Sequence, residues 1–263
     1  MSEIDYQFLP LIGGLAGLLV GMTGVGGGAL LTPALLMFYG YEVTTVIATD
    51  LIFAAVVKFS TVRSHVRNQL VDWQVLRRLW WGSVPGALFA VYLVNQGYQA
   101  ANIDWLLPLI SVLICFAGCT LLLGRMVQAA QARMRLSQPS KFKKNQPIAT
   151  VLTGGLLGVL VGMTSIGAGA IGAVILRALY PLRMNPRVLV GSDTVHAIPV
   201  ALIAGVSYAG VGYVDFALLL SLLLGGIPAA LIGAALVGRV QVEFLRNILG
   251  LVLLLVGFKL LLV

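Results

Sequence analysis

The sequence predicts an all-α polytopic membrane protein. It is read as two inverted-topology repeats, each a glycine-broken helical hairpin followed by three transmembrane helices. Three observations carry this expectation. The 263-residue chain is 59% apolar and only 10% charged, with a mean hydropathy of +1.00. Its second half repeats its first. Its Lys and Arg residues change sides between the two copies in a regular way.

Composition excludes a water-soluble domain, which cannot hide so much apolar surface. Charge-free or nearly charge-free stretches run over Leu79–Ile103, Trp105–Leu123, Val188–Tyr213 (interrupted by Asp193 and His196), Phe216–Gly238 and Ile248–Gly257 with its flanks. Crossing a hydrocarbon core of ~30 Å takes about 20 such residues. A transmembrane β-barrel would show short alternating segments instead. The N-terminus has no basic n-region and no A-x-A site, so no cleavable signal peptide is expected. The net charge of +8 reads as a topology signal and not as nucleic-acid binding. Cys115 and Cys119 lie one helical turn apart in one apolar segment. They read as small packing residues, with a redox or thiol-carrier role as the alternative. No Cys/His cluster or H-E-x-x-H motif points to a metal, no P-loop points to ATP, and no cofactor is expected.

The repeat is direct. Gly13–Ala29 aligns without gaps to Gly154–Ala170, with twelve of seventeen positions identical. After a two-residue gap, Thr49-Asp50 matches Ser192-Asp193, Val71-Asp72-Trp73 matches Val214-Asp215-Phe216, and Gly82-Ser83-Val84-Pro85 matches Gly225-Gly226-Ile227-Pro228. Such internal symmetry is expected of a transporter. Residues 1–123 form the first repeat, 124–147 a basic cytoplasmic linker, and 148–263 the second repeat. In the first unit the long helices are expected at about 44–63, 73–95 and 105–123. In the second they fall at about 187–209, 215–237 and 244–262. Asp72, Asp104, Asp215 and Glu243 each open one of these helices, as N-caps or first-turn acids. Pro85 and Pro228 lie inside long helices and are expected to kink them.

Orientation follows from the basic residues. The connection before Asp50 has no Lys or Arg, whereas its counterpart has Arg177, Arg183 and Arg187. The next connection reverses this, with Arg63, Arg67, Arg77 and Arg78 in the first unit and none in the second. Under the positive-inside rule the two units face opposite ways. The N-terminus is then extracytoplasmic, and Lys58 is expected to snorkel to the inner interface. The parity also requires the glycine-broken segment to enter and leave on one side.

That segment reads "VGMTGVGGGA" at 20–29 and "VGMTSIGAGA" at 161–170. Backbone at membrane depth leaves the helix only where protein or water satisfies it. Gly24, Gly26, Gly27 and Gly28, and Gly167 and Gly169 in the second unit, are expected to free N–H groups at the start of a second half-helix. A helix N-terminus binds anions. Thr23, Thr164 and Ser165 add hydroxyls. Close helix packing is the competing role of these glycines.

Asp50 and Asp193 are repeat-related carboxylates inside membrane helices, costly there and therefore candidates for function. His196 lies three residues from Asp193, on the same helix face. The roles open to the two acids are proton relay and Na⁺ ligation, and those open to His196 are a titrating pair with Asp193 and a satisfied core histidine. For the acids there is also a structural role, tying down the glycine-rich break.

"GGLAGLLVGMTGVGGGALLTPAL", the "ATD" that follows it, and the second-half "GMTSIGAGAI" with "GSD" resemble the sulfite exporter TauE/SafE family, over about residues 10–260. The resemblance implies a bacterial inner-membrane, multi-pass transporter of a small sulfur-containing anion such as sulfite or an organosulfonate. The expected function is therefore a secondary transporter, an exporter and not an enzyme, with the substrate at paired half-helix N-termini near the membrane midplane. A passive small-anion channel and an importer on the same scaffold are the alternatives, and a membrane enzyme or sulfur carrier using Cys115 or Cys119 is a third. Expected partners are the anion, a proton or sodium ion, the lipid bilayer and a second copy of the chain as a homodimer; nucleic acid is not among them. The second unit has Ala168 for Gly27 and Ala173-Val174 for Thr32-Pro33, so the cradle is expected to be asymmetric.

Overall fold

A computed structural model of the chain describes residues 6–24, 28–99, 105–137, 139–165, 169–180, 183–236 and 242–262. These residues form helices α1 (Leu9–Thr23), α2 (Gly28–Ala34), α3 (Val43–Arg67), α4 (Trp73–Gln99), α5 (Leu106–Ser137), α6 (Pro139–Thr164), α7 (Ala170–Leu179), α8 (Pro186–Val211), α9 (Phe216–Leu236) and α10 (Val242–Leu261). A short 3₁₀ turn, Tyr6–Phe8, precedes α1, and a π-helical turn, Leu35–Tyr39, extends α2. No strand occurs among the described residues.

The ends of these helices are written in the sequence. Pro10 sits in the first turn of α1, where the missing N–H costs nothing. The Asn185 side chain accepts a hydrogen bond from the Val188 N–H at 2.9 Å and caps α8. Asp72 Oδ1 accepts from Val75 N–H at 3.2 Å, and Asp215 Oδ1 from Leu218 N–H at 2.9 Å. Both acids are thus the N-caps expected of them. Asp104 and the Glu243 side chain lie outside the described structure. Pro85 and Pro228 lie inside the unbroken helices α4 and α9. Much of the basic linker is helical: α5 runs on to Ser137 and α6 begins at Pro139.

Among the described residues five helices are long and apolar enough to cross a membrane: α3, α8, α9 and the apolar parts of α5 (Leu106–Leu123) and α6 (Asn145–Thr164). Helix α4 has the length, at 27 residues, but carries Arg77 and Arg78 in its second turn. Large apolar side chains such as Leu15, Trp81, Leu152, Leu224 and Phe258 point outward, while Asp50, Lys58, Asp193 and His196 are buried. Apolar outside and charged inside is the arrangement a bilayer demands.

Glycines set the helix–helix seams. A Cβ on Gly13, Gly17 or Gly21 of α1 would run into the backbone carbonyls of Leu222, Gly226 and Ala230 of α9. A Cβ on Gly154, Gly158 or Gly162 of α6 would meet the carbonyls of Leu79, Ser83 and Ala87 of α4. These small residues, one turn apart, let backbones touch, as in membrane helix pairs generally. The two seams match residue for residue: adding the repeat offset to Leu79, Ser83 and Ala87 gives Leu222, Gly226 and Ala230. Within each seam the helices run the same way. Helices α3 and α8, by contrast, run antiparallel: Lys58 meets Asp193, and Gly205 lies against Leu51 and Ile52. So do α5 and α10, where Gly118 meets Gly250 while Gly257 meets Cys115 and the Ser111 carbonyl. Cys115 therefore packs in a helix seam.

Candidate functional site

Helix α1 is 15 residues long, about 22 Å at 1.5 Å per residue, too short to span alone. It stops because Gly24 turns left-handed, at φ 68°, with its N–H bonded to Val20 O at 2.9 Å. Helix α6 stops in the same way. Ser165, the repeat partner of Gly24, sits at φ 57° with its N–H bonded to Val161 O at 2.7 Å. A left-handed conformation is unremarkable for glycine but strained for serine. This differs from the expectation for Gly24, which closes the first half-helix and does not open the second. Gly28 is the first residue of α2, and Gly169 is the N-cap of α7. Gly26, Gly27 and Gly167 lie outside the described residues.

The threonines before the breaks are engaged. Thr23 Oγ1 donates to Leu19 O and Thr164 Oγ1 to Leu160 O, each at 2.7 Å. Back-bonding to the preceding turn commits each hydroxyl proton to its own helix.

Each break lies against the central helix of the other half. A Cβ on Gly24 would meet the Val190 side chain of α8. Ser165 lies beside the Asp50 carboxylate of α3. The residue before each buried acid is tied across the halves as well. Asp72 N–H donates to Ser192 Oγ at 2.9 Å, and Asp215 N–H to Thr49 Oγ1 at 3.3 Å. The crossing of α3 and α8 is therefore where both breaks and both acids converge.

Asp50 is fully buried. Thr32 Oγ1 of α2 donates to its Oδ2 at 2.9 Å. Among the described residues neither its Oδ1 nor the buried Ser165 Oγ makes a hydrogen bond of full geometry, although Ser165 lies near enough to act on the carboxylate. Asp193 is held differently: Lys58 Nζ donates to its Oδ2 at 3.0 Å, with both side chains almost wholly buried. Lys58 thus does not snorkel to an interface. It is turned inward because the apolar exterior offers its ammonium nothing, while a buried carboxylate of the other half lies within reach. His196 shares a face with Asp193, but its Nε2 meets Ser83 Oγ of α4 at 2.9 Å. The His196 carbonyl accepts from Trp80 Nε1 at 3.1 Å. No group of three or more Cys, His or carboxylate residues suited to a metal occurs among the described residues.

Four residues of this site escaped the sequence analysis as site residues: Lys58, Thr32, Ser83 and Trp80. The signal for Lys58 was present. It is a charge two turns from Asp50 in an otherwise apolar helix, and its repeat partner is Ala201.

Comparison with known proteins agrees with the resemblance. A "Probable membrane transporter protein YjnA" of Bacillus subtilis (strain 168) is 33% identical over 255 residues, covering 95% of this chain and 97% of its own. A second B. subtilis protein, "Probable membrane transporter protein YdhB", is 25% identical over 221 residues, with 84% and 85% covered. A "Probable membrane transporter protein" of Xylella fastidiosa (strain Temecula1 / ATCC 700964) is 23% identical over 248 residues, with 93% and 90% covered. No solved structure matches the chain. The family model described as "Sulfite exporter TauE/SafE" matches residues 9–260, nearly the full length, and this multi-pass membrane protein belongs to the sulfite exporter TauE/SafE family.

Proposed function

We propose that this chain is a secondary transporter that exports a small sulfur-containing anion, such as sulfite or an organosulfonate, across a bacterial inner membrane. The observation that carries this reading is the convergence of the two helix breaks and the two buried acids on the α3–α8 crossing. Broken helices meeting at buried ionisable groups between two repeats are the build of a transporter's substrate and ion sites. The antiparallel course of α3 and α8, and of α5 and α10, supports an inverted-topology repeat, and the Lys and Arg distribution supports an N-terminus outside. Helix-start N–H groups of α2 and α7 with the Ser165 hydroxyl are the proposed seat for the anion, and Thr23 and Thr164, whose protons bond their own helices, line the breaks beside it. Coupling to a proton or Na⁺ is sought among the three buried titratable groups at the crossing, Asp50, Asp193 and His196, of which Asp193 is already paired with Lys58.

Export has a plain driving force. An inside-negative potential favours anion exit by about 2.3 kcal/mol per charge per 100 mV.

The test is uptake into proteoliposomes with a panel of sulfur anions, with and without a pH or Na⁺ gradient. Saturable flux with counterflow, for one of the anions, is expected. Unitary currents would indicate a channel instead, and no flux of any sulfur anion would refute the reading. Activity retained after replacing Cys115 and Cys119 together would exclude thiol chemistry.

A further inference from the structure

The repeat makes the surroundings of the two buried acids comparable residue by residue. Asp193 faces Lys58; the residue equivalent to Lys58 for Asp50 is Ala201. Asp50 has Thr32 and Ser165; the equivalents for Asp193 are Ala173 and Gly24. His196 meets Ser83, while its equivalent Phe53 packs on Gly226, the equivalent of Ser83. One acid has a built-in ammonium and no added hydroxyls. The other has two hydroxyls and no ammonium.

A carboxylate in a protein interior is costly, and far more so unpaired than paired. Lys58 supplies the compensating charge for Asp193 within the chain itself. Nothing described does so for Asp50. Thr32 of α2 and Ser165 at the end of α6 are its polar neighbours, and no ion pair to it is found among the described residues. Lys58, two turns along α3, is engaged by Asp193, which also lies close to His196. Arg187 lies at the start of α8, and Arg63, His65 and Arg67 at the far end of α3. Asp50 Oδ1 and Ser165 Oγ, buried and without a full hydrogen bond among the described residues, are both on this side.

We propose that Asp50, with Thr32 and Ser165, is the site that takes up and releases the coupling proton, whereas Asp193 is held permanently by Lys58 and does not exchange one. This deepens the transporter reading and rests on it for the word coupling. The step makes and breaks only an O–H bond: Asp50 Oδ1 takes a proton from water on one side, donates it in a hydrogen bond toward Ser165 Oγ, and returns it to water on the other side. Lys58 of the first half serves the acid of the second as a fixed cation, where a mobile proton serves Asp50, so one proton moves per cycle and not two.

The test has two arms. In proteoliposomes with methanesulfonate, which stays ionised across the pH range used, Asp50→Asn should lose pH-gradient-driven accumulation at least tenfold while exchange of labelled for unlabelled anion remains measurable. Lys58→Met and Asp193→Asn should each be severely impaired, and the double variant should recover at least tenfold over either single one with its pH dependence intact. The second arm needs no substrate. Infrared difference spectra of the purified protein in lipid, between pH 5 and pH 9, should show a protonated-carboxyl C=O band. That band should be absent in Asp50→Asn and present in the Lys58→Met/Asp193→Asn double variant. A band unchanged in Asp50→Asn, or one removed by Na⁺ at constant pH, overturns the proposal. If the infrared result holds and no sulfur anion moves, the proton site stands and the substrate reading fails.

Discussion

Around Gly17 and around Gly158 the two halves of the chain are built alike. Each glycine lets its helix lie directly on a backbone carbonyl of the other half, Gly226 in one seam and Ser83 in the other. Around Asp193 and Asp50 they are built differently, with Lys58 against the first and Thr32 against the second. Packing constrains both seams to the same solution because two backbones in contact leave room for hydrogen and nothing larger. Charge burial has more than one solution, and the two halves have taken different ones. The symmetry therefore reports the scaffold, and its violations report the site.

The largest effect is expected where the symmetry is broken by a charge. Lys58→Met or Asp193→Asn leaves a buried partner unpaired and should cost about 3–5 kcal/mol. Replacing both removes the charge problem, so the double variant should recover most of that loss. Thermal unfolding in detergent, followed by light scattering, checks this. Equal loss in the double variant would mean that the pair supports packing and not charge balance.

The seams come next. Gly17→Ala and Gly158→Ala each force a methyl into a carbonyl and should cost roughly 1–3 kcal/mol. Gly14 and Gly155 give the control, since a Cβ there meets nothing nearer than 3.7 Å and 3.8 Å respectively. Alanine at those two positions should be nearly silent. The same melting measurement distinguishes the pairs.

A smaller effect is expected at the break. Ser165 holds a left-handed conformation at φ 57°, so Ser165→Gly should raise stability by about 1 kcal/mol through relief of strain. It also removes a hydroxyl from beside Asp50. Gly24→Ala should act oppositely, adding strain and pressing on Val190. A stabilised variant with weakened proton coupling would sharpen the contrast between the two breaks.

The smallest effect belongs to Arg183, whose half-exposed guanidinium meets Asp72 Oδ2 at 2.9 Å. Arg183→Ala should cost less than about 1 kcal/mol. The difference should vanish in high salt.

Much of this was legible in the chain. The helices around Asp50 and Asp193 were placed within a few residues because each is a long apolar run bounded by polar caps. Asp72 and Asp215 cap as their positions imply. The seam glycines were visible as a repeat, but their division of labour was not. Gly17 and Gly24 look alike in sequence, and only the neighbouring backbone shows that one packs and the other turns. Lys58 was misplaced for a physical reason. Snorkelling is the usual fate of a membrane lysine, and its partner lies 135 residues away, in another helix, where no local pattern reveals it. Thr32 is hidden for the same reason, since its hydroxyl is explained only by the carboxylate it touches.

In the proposed transporter the two halves face opposite ways across one membrane. In a chain with Cys115 and Cys119 replaced, single cysteines at Glu42, Val211, Arg67 and Arg187 test this most directly. All four native residues are exposed, and they stand at or beside opposite ends of α3 and α8. Glu42→Cys and Val211→Cys should react with a membrane-impermeant maleimide from outside intact cells. Arg67→Cys and Arg187→Cys should react only after the membrane is opened. Labelling of Glu42→Cys and Arg187→Cys from the same side would contradict the inverted arrangement, and with it the alternating site between the halves.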